Sequence, residues 1–323
     1  MEQAEAFWVT EPGRGEIRPV SVRPPAADEV LVRTRYTAVS RGTEMLVWSG
    51  RVPPDQAQAM RAPFQDGEFP APVKYGYLNV GVVDAGPPEL AGRTVFCLYP
   101  HQTAYVVPAN AVLPVPDGVP AERAVLAGTL ETAINALWDA APRIGDRACV
   151  VGAGMVGCCA ARLLGQIPGT HVTLVDVDPG RASIAATLGV DFALPDQITG
   201  DHEVVVHASA TADGLRHCLE LLAPGGEVLE MSWYGAGEVS VPLGGRFHSR
   251  RLGIRASQVG TVAAARRGTR SNRDRLTLAL DLLRDPAYDC LLDGTSPFAD
   301  LPDLMPALSR RRGLCHTIRY DEG

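Results

Sequence analysis

The sequence predicts an α/β chain in which a small antiparallel barrel or sandwich precedes a doubly wound parallel sheet. Up to about residue 120, short β-branched runs are separated by glycine and proline. From Ala121 onward, helix-length apolar segments alternate with short buried runs. Closely spaced strands joined by turns build barrels and sandwiches, whereas strands alternating with helices build parallel sheets. The breaker Pro116-Asp117-Gly118-Val119-Pro120 marks the change of pattern.

In the first part, residues 30–34, 80–83, 94–98, 104–107 and 111–113 read as strands. Residues 121–140 read as a helix or helix pair, 149–151 as a strand and 155–166 as a helix by apolar spacing. A strand at 171–175 precedes a helix at 179–188, with Asp178 and Pro179 as N-cap and first residue and Gly189 as its stop. Residues 203–206, 215–222 and 227–231 continue the strand, helix, strand rhythm. An amphipathic helix at 273–283 and a final strand at 314–318 complete the chain.

Composition excludes several classes. The 323 residues are enough for about two domains, and 46% hydrophobic with 21% charged is ordinary for a folded globular protein. The charge balance of 30 − 37 = −7 argues against nucleic acid or anionic lipid as partner. Seven scattered cysteines do not form a secreted disulfide framework. There is no apolar run of about 18 residues and no apolar signal core after the acidic start, so a cytoplasmic protein without a membrane span is expected.

Gly152-Ala153-Gly154-Met155-Val156-Gly157 follows the strand ending at Val151 and opens the next helix. A bare G-x-G-x-x-G is common by chance. Here a strand precedes it, a helix follows, and Asp176 closes the next strand 19 residues beyond Gly157. Gly152 permits the tight turn, Gly154 lets the backbone approach a pyrophosphate, and Gly157 lets helix and strand pack closely. The pyrophosphate then rests on the helix N-terminus near Met155 and Val156, where N–H groups and the dipole favour an anion. A carboxylate at Asp176 suits ribose hydroxyls and repels a 2′-phosphate, so NAD is favoured over NADP, with Arg181 near enough to stack on adenine.

With these segments the chain resembles the medium-chain dehydrogenase/reductase superfamily over essentially its whole length. The supporting stretches are Glu29-Val30-Leu31-Val32-Arg33, Ser40-Arg41-Gly42-Thr43-Glu44, Pro72-Val73-Lys74-Tyr75-Gly76-Tyr77, Gly145-Asp146-Arg147 and Leu252-Gly253-Ile254-Arg255-Ala256-Ser257. The resemblance implies a chaperonin-10-like barrel domain at 1–120, a Rossmann NAD-binding domain at 121–285, and a segment at 286–323 returning to the barrel. It also implies an active site in the cleft between the domains, a small-molecule substrate, and a homodimer paired along the strand near residues 254–257.

The departures from the superfamily carry as much as the matches. Its zinc-dependent members place a cysteine where Ser40 stands, a histidine where Tyr77 stands and a third ligand near Gly128. A hydroxyl, a phenol and a glycine are poor zinc donors. The four-cysteine lobe is missing as well, Cys158 and Cys159 read as core packing, and no metal is expected. The Ser-x-Gly-Thr-Glu segment is similar to that of a zinc-free branch that includes the bacteriochlorophyllide dehydrogenases, which act on a secondary alcohol.

Without zinc, a hydrogen-bonding acid or base must serve the reacting oxygen. Tyr77 is the first candidate, the alternative being a tyrosine that fills the vacated metal site. Ser40 and Glu44 align with the ligand-bearing loop, although Glu44 could instead cap the helix beginning near Met45. His101 follows a strand and titrates usefully near neutrality, against the commoner loop-stabilising histidine. Lys74, three positions before Tyr77, faces the other way in an extended segment, so a Tyr/Lys dyad is not expected. Thr132 matches a position that touches nicotinamide in the family, and Ser209 and Ser232 lie at the C-terminal ends of strands, where ligands bind open α/β sheets. The arginines between Arg246 and Arg275 read as a solvated or interface face, with an acidic-substrate site as alternative.

The expected function is NAD(H)-dependent, metal-independent interconversion of an alcohol and a ketone or aldehyde. A zinc-free carbon–carbon double-bond reductase and a cofactor-binding protein without turnover are the alternatives.

Overall fold

The computed structural model describes residues 2–311 and 313–321. They divide into two compact units, one within Met1–Gly128, Leu280–Arg284 and Leu292–Gly323, the other within Thr129–Ala279 and Asp285–Leu291. Residues 121–128 thus join the first unit, and the stretch 286–291 joins the second.

The first unit opens with a hairpin of β1 (Glu2–Glu11) and β2 (Arg14–Val22), absent from the sequence reading because charged residues interrupt both apolar patterns. There follow β3 (Glu29–Val39), α1 (Thr43–Trp48), β4 (Asp66–Gly67), β5 (Val73–Lys74) and β6 (Asn79–Ala85). Three short strands complete the run: β7 (Thr94–Cys97), β8 (Ala104–Pro108) and β9 (Val112–Pro114). One sheet has the order β2-β1-β5-β4; in the other, β3, β6, β7 and β9 pair in sequence and β8 pairs with β3. Val30, Val32, Val83, Val95, Tyr105, Val107 and Val112 pack into the core beneath it. The β-branched runs found their partners because alternate side chains of a strand share one face.

Helices α2 (Ala121–Ala124) and α3 (Ala127–Ala140) lead to β10 (Arg147–Val151), α4 (Met155–Gly165), β11 (His171–Val175), α5 (Ala182–Thr187) and β12 (Asp191–Ala193). Next come β13 (Val204–His207), α6 (Ala212–Leu221), β14 (Glu227–Glu230), α7 (Arg246–Ser249), β15 (Gly253–Ala256) and α8 (Asn272–Leu282). The sheet is wholly parallel, in the order β12-β11-β10-β13-β14-β15. Its central strands read as unbroken apolar runs because both faces are covered; Val204, Val205, Val206 and His207 are all buried. The Asp178 side chain caps the turn at Pro179 by accepting from the Gly180 N–H at 2.9 Å. Cys158 and Cys159 are fully buried in α4.

The arginine stretch is not one solvated face, and Arg275 corrects that expectation. It is 1% exposed, donates to Glu131 from Nε at 3.0 Å and Nη2 at 2.9 Å, and donates to Asn135 Oδ1 and the Val259 carbonyl at 2.5 Å. Burial is tolerated because the guanidinium is paired and saturated with acceptors. Burial pushes the Glu131 carboxyl up, only partly offset by Arg275. Arg250 and Arg255 instead bridge to Asp201 and Glu227 at 2.5 and 2.6 Å on the surface.

The chain ends with β16 (Leu292–Pro297), α9 (Leu301–Arg310) and β17 (Cys315–Arg319). β16 lies parallel to β17, which pairs antiparallel with β3, so the tail completes the larger sheet of the first unit. No helix among the described residues is long and apolar enough to cross a membrane.

Candidate active site and cofactor groove

In the first unit, three separate turns deliver side chains to one point. β3 ends at Val39 and hands Ser40 to the turn before α1, whose first turn carries Glu44. That helix has no side-chain cap; instead the Glu44 carboxylate reaches back and accepts the Ser40 N–H at 2.8 Å. Tyr77 lies between β5 and β6, and its hydroxyl donates to Ser40 Oγ at 2.7 Å. His101 follows β7, fixed by the Phe7 N–H, which donates to its carbonyl at 2.9 Å. An added Cβ at Gly76 would stand 3.0 Å from His101 Cδ2, so only glycine lets the Tyr77 segment run beside the imidazole.

His101 is 2% and Glu44 3% exposed. The imidazole Nε2 lies 3.0 Å from Glu44 Oε2, and Nδ1 lies 2.7 Å from Thr37 Oγ1, which in turn meets the Tyr320 hydroxyl at 3.2 Å. A carboxylate only accepts, so Nε2 carries a proton, and in a neutral imidazole Nδ1 accepts from Thr37. Every polar group in this buried chain then has a partner, which a low-dielectric interior demands. Burial, aided by the charge of Glu44, pushes the Tyr77 phenol up to about 12, against hydrogen bonds to Ser40 and Thr43 that pull it down. Tyr77 is therefore held as a donor, and because it donates to Ser40, the Ser40 hydrogen is left to point elsewhere.

The structure brings Ser40, Glu44, Tyr77 and His101 into one network, to which Thr37 and Tyr320 belong although the sequence did not single them out. Thr37 lies in β3 among other polar residues and Tyr320 just beyond β17, so nothing in the local pattern marks either. Lys74 stands apart, donating to Gln102 Oε1 at 2.9 Å from a buried position that lowers its ammonium below the usual range. This donor set does not fit zinc. Glu44 and His101 spend their lone pair and proton on each other, and at Gly128 an added Cβ would lie 2.6 Å from Leu78 Cδ2. Among the described residues no three His, Cys, Asp or Glu side chains group to hold a metal.

In the second unit, β10 passes into the glycine-rich turn. Gly152 adopts φ +110°, and an added Cβ would meet the Ser209 backbone nitrogen at 2.6 Å. Gly157 packs so tightly that its Cβ would run into the Gly152 carbonyl oxygen. Gly154 differs: it is exposed, and nothing lies within 4 Å of where its Cβ would be. It caps α4 without any side-chain hydrogen bond, so the first-turn N–H groups of Met155 and Val156 face an open cradle. Met155 turns its side chain into the core while Val156 is half-buried. The Asp176 carboxylate is anchored by the Ala153 N–H at 2.7 Å and the Asp178 N–H at 2.9 Å. Arg181 Nε lies 3.6 Å from Asp178 Oδ2, and Thr132 is half-buried on α3. These features suit a dinucleotide: room for the pyrophosphate, free donors beside it, and a fixed carboxylate at the ribose position.

Ser209 and Ser232 frame a second polar cluster at the ends of β13 and β14. His207 Nδ1 lies 2.7 and 2.9 Å from the two Glu230 carboxylate oxygens, and Nε2 lies 2.7 Å from Ser209 Oγ. The Ser232 N–H and Tyr234 hydroxyl donate to Glu230 at 2.7 and 3.0 Å, and Ser232 Oγ accepts from the Ala210 N–H at 3.0 Å. Burial pushes Glu230 up, but the hydrogen bonds and charge of His207 and the Ser232 N–H prevail and hold it below the usual range. His207 and Glu230 escaped the sequence reading because one looks like the end of an apolar strand and the other like an exposed strand residue.

No family model matches the chain. A D-guloside 3-dehydrogenase of Escherichia coli is 27% identical over 241 residues, covering 62% of this chain and 66% of that relative, just under two thirds. Among solved structures, L-idonate 5-dehydrogenase of Escherichia coli superposes with a TM-score of 0.81 at 15% identity, covering 98% of both chains. A dehydrogenase of Sinorhizobium meliloti solved with NADP superposes at 0.80 and 14% identity, covering 99% of this chain and 100% of its own. The chain is thus similar in sequence to dehydrogenases and shares the fold of these solved ones. As in those folds, the first unit is GroES-like and the second is a Rossmann parallel sheet.

Proposed function

We propose that this chain is a metal-independent oxidoreductase of the medium-chain dehydrogenase type, interconverting a secondary alcohol and a ketone, with NAD(H) preferred over NADP(H). The observation that carries the reading is the convergence of Ser40, Glu44, Tyr77 and His101 where the superfamily otherwise places metal ligands. The dinucleotide supplies the hydride acceptor or donor when bound. Ser40, whose own hydrogen is left over because Tyr77 donates to its oxygen, provides the hydroxyl donor that polarises a carbonyl oxygen in place of a metal. The Glu44–His101 couple supplies a carboxylate and an imidazole as the acid–base groups of the site, and burial, aided by the charge of Glu44, keeps Tyr77 protonated. Gly152, Gly154, Met155, Val156 and Gly157 seat the pyrophosphate, Asp176 takes the ribose hydroxyls and disfavours a 2′-phosphate, and Arg181, Thr132, Ser209 and Ser232 complete the groove. The edge strand β15, with Ile254 36% exposed, is the surface along which two copies pair.

The test uses chelator-treated protein with metal content measured, assayed with NADH and NADPH against sugar alcohols, ketoses and simple ketones. Turnover persists without metal and is faster with NADH; Glu44→Gln and Tyr77→Phe each lower kcat about a hundredfold while NADH binding is kept. Activity that returns only with added zinc, or variants with unchanged kcat, would overturn the proposal.

A further inference from the structure

His207 is the last residue of β13 and is fully buried, yet neither strand packing nor hydride chemistry calls for an imidazole there. Its two ring nitrogens join a carboxylate, Glu230, to a half-buried hydroxyl, Ser209. Ser209 borders the glycine-rich turn, as its contact with Gly152 shows. β10 and β13 are the central neighbours from which the sheet is wound in opposite directions, and ligands of such sheets sit in the crevice at that point.

We propose that His207, held by Glu230, is a proton-linked positioning residue for the dinucleotide: binding takes up a proton on the imidazole and turns the Ser209 hydroxyl into a donor toward the ligand. This rests on the dinucleotide-binding reading above. With neutral His207, Nδ1–H donates to Glu230 and Nε2 accepts the Ser209 hydrogen. Ser209 then shows the crevice only lone pairs, and the buried pair carries one net negative charge. Both features oppose phosphate oxygens. With His207 protonated, Nε2–H donates to Ser209 Oγ, the serine hydrogen is released to the crevice, and the pair becomes neutral. An anionic ligand binds the second state better, and the differential binding draws the proton in.

The surroundings leave this pair as the groups able to respond. Tyr234, from the loop after β14, is raised by burial and by Glu230 and stays neutral. Cys218 on α6 is raised well above the ordinary thiol value by burial, and Cys149 on β10 is pushed up to about 12. Asp213 and Arg216 pair with each other on the exposed side of α6. Thr211 Oγ1, 2.9 Å from Ser209 Oγ, accepts the Gly214 N–H at 3.0 Å and is the fallback partner of the serine.

The experiment is calorimetric titration of the whole protein with NADH in two buffers of different ionisation enthalpy, between pH 6 and pH 8. Wild type takes up about a third of a proton per NADH averaged over the range, so Kd rises about fivefold from pH 6 to pH 8. His207→Gln keeps a folded protein that binds NADH without proton uptake and with a flat Kd. Glu230→Gln, a second route should the first variant not fold, loses most of the uptake because the imidazolium has lost its counter-charge. Binding without uptake by wild type, or uptake undiminished in both variants, overturns the inference while leaving the dinucleotide reading intact. No NADH binding by wild type at any pH refutes that reading and this one with it.

Discussion

Gly154 offers the sharpest separation of fold from binding. Its backbone has φ −80° and ψ −177°, an extended conformation any residue adopts, and nothing lies within 4 Å of an added Cβ. Gly154→Ala therefore leaves stability unchanged or raises it by about 0.5 kcal/mol, because the unfolded chain loses freedom and the folded one meets no clash. The same methyl fills the cradle before the uncapped first turn of α4. A pyrophosphate displaced from there loses at least one charge-assisted hydrogen bond, about 1.5–3 kcal/mol, which weakens NADH by about ten- to a hundredfold. Gly157→Ala is the contrast, because its Cβ runs into the Gly152 carbonyl and the helix must move. Thermal melts paired with NADH titration, followed by protein-to-nicotinamide energy transfer, read both quantities. A Gly154→Ala protein that melts normally and binds NADH as tightly as wild type would refute the placement of the pyrophosphate.

Two further outcomes test the energetics. Arg275→Ala strands the buried Glu131 carboxylate and frees the Val259 carbonyl and Asn135, so stability falls by about 3–5 kcal/mol in urea unfolding, whereas Arg275→Met with Glu131→Leu recovers most of it. Alkaline conditions unfold the protein steeply. Burial raises Tyr75, Tyr77, Tyr99, Tyr105, Tyr288 and Tyr320, so the stability these phenols contribute is full below pH about 10 and is lost as pH rises through their folded values, near 12 for Tyr77. Each contributes up to about 1.4 kcal/mol per pH unit within that window. Urea midpoints falling sharply from pH 9.5 to 11, less so in Tyr77→Phe, are expected; a flat midpoint would contradict the burial argument.

The Rossmann half was legible because parallel strands covered on both faces are unbroken apolar runs and because the glycines of the fingerprint mark backbone contacts no other residue permits. His171–Val175 came out at its observed bounds for that reason. The hairpin of β1 and β2 was not legible, since strands bearing Glu5, Glu11, Arg14 and Arg18 do not alternate cleanly. Arg275 looked like its exposed neighbours, because burial of an arginine depends on acceptors such as Glu131, 144 positions away.

The sequence by itself determined the fold class and the glycine-rich fingerprint, because each is a matter of residue type at fixed spacing. It nominated Ser40, Glu44, Tyr77 and His101 one at a time. Only the tertiary structure decided that they touch, that Thr37 and Tyr320 extend their chain, and that His207 joins Glu230 to Ser209. Those contacts span up to 283 positions, from Thr37 to Tyr320. Hydrogen bonds over such separations are set by sheet register and packing, which local pattern does not encode.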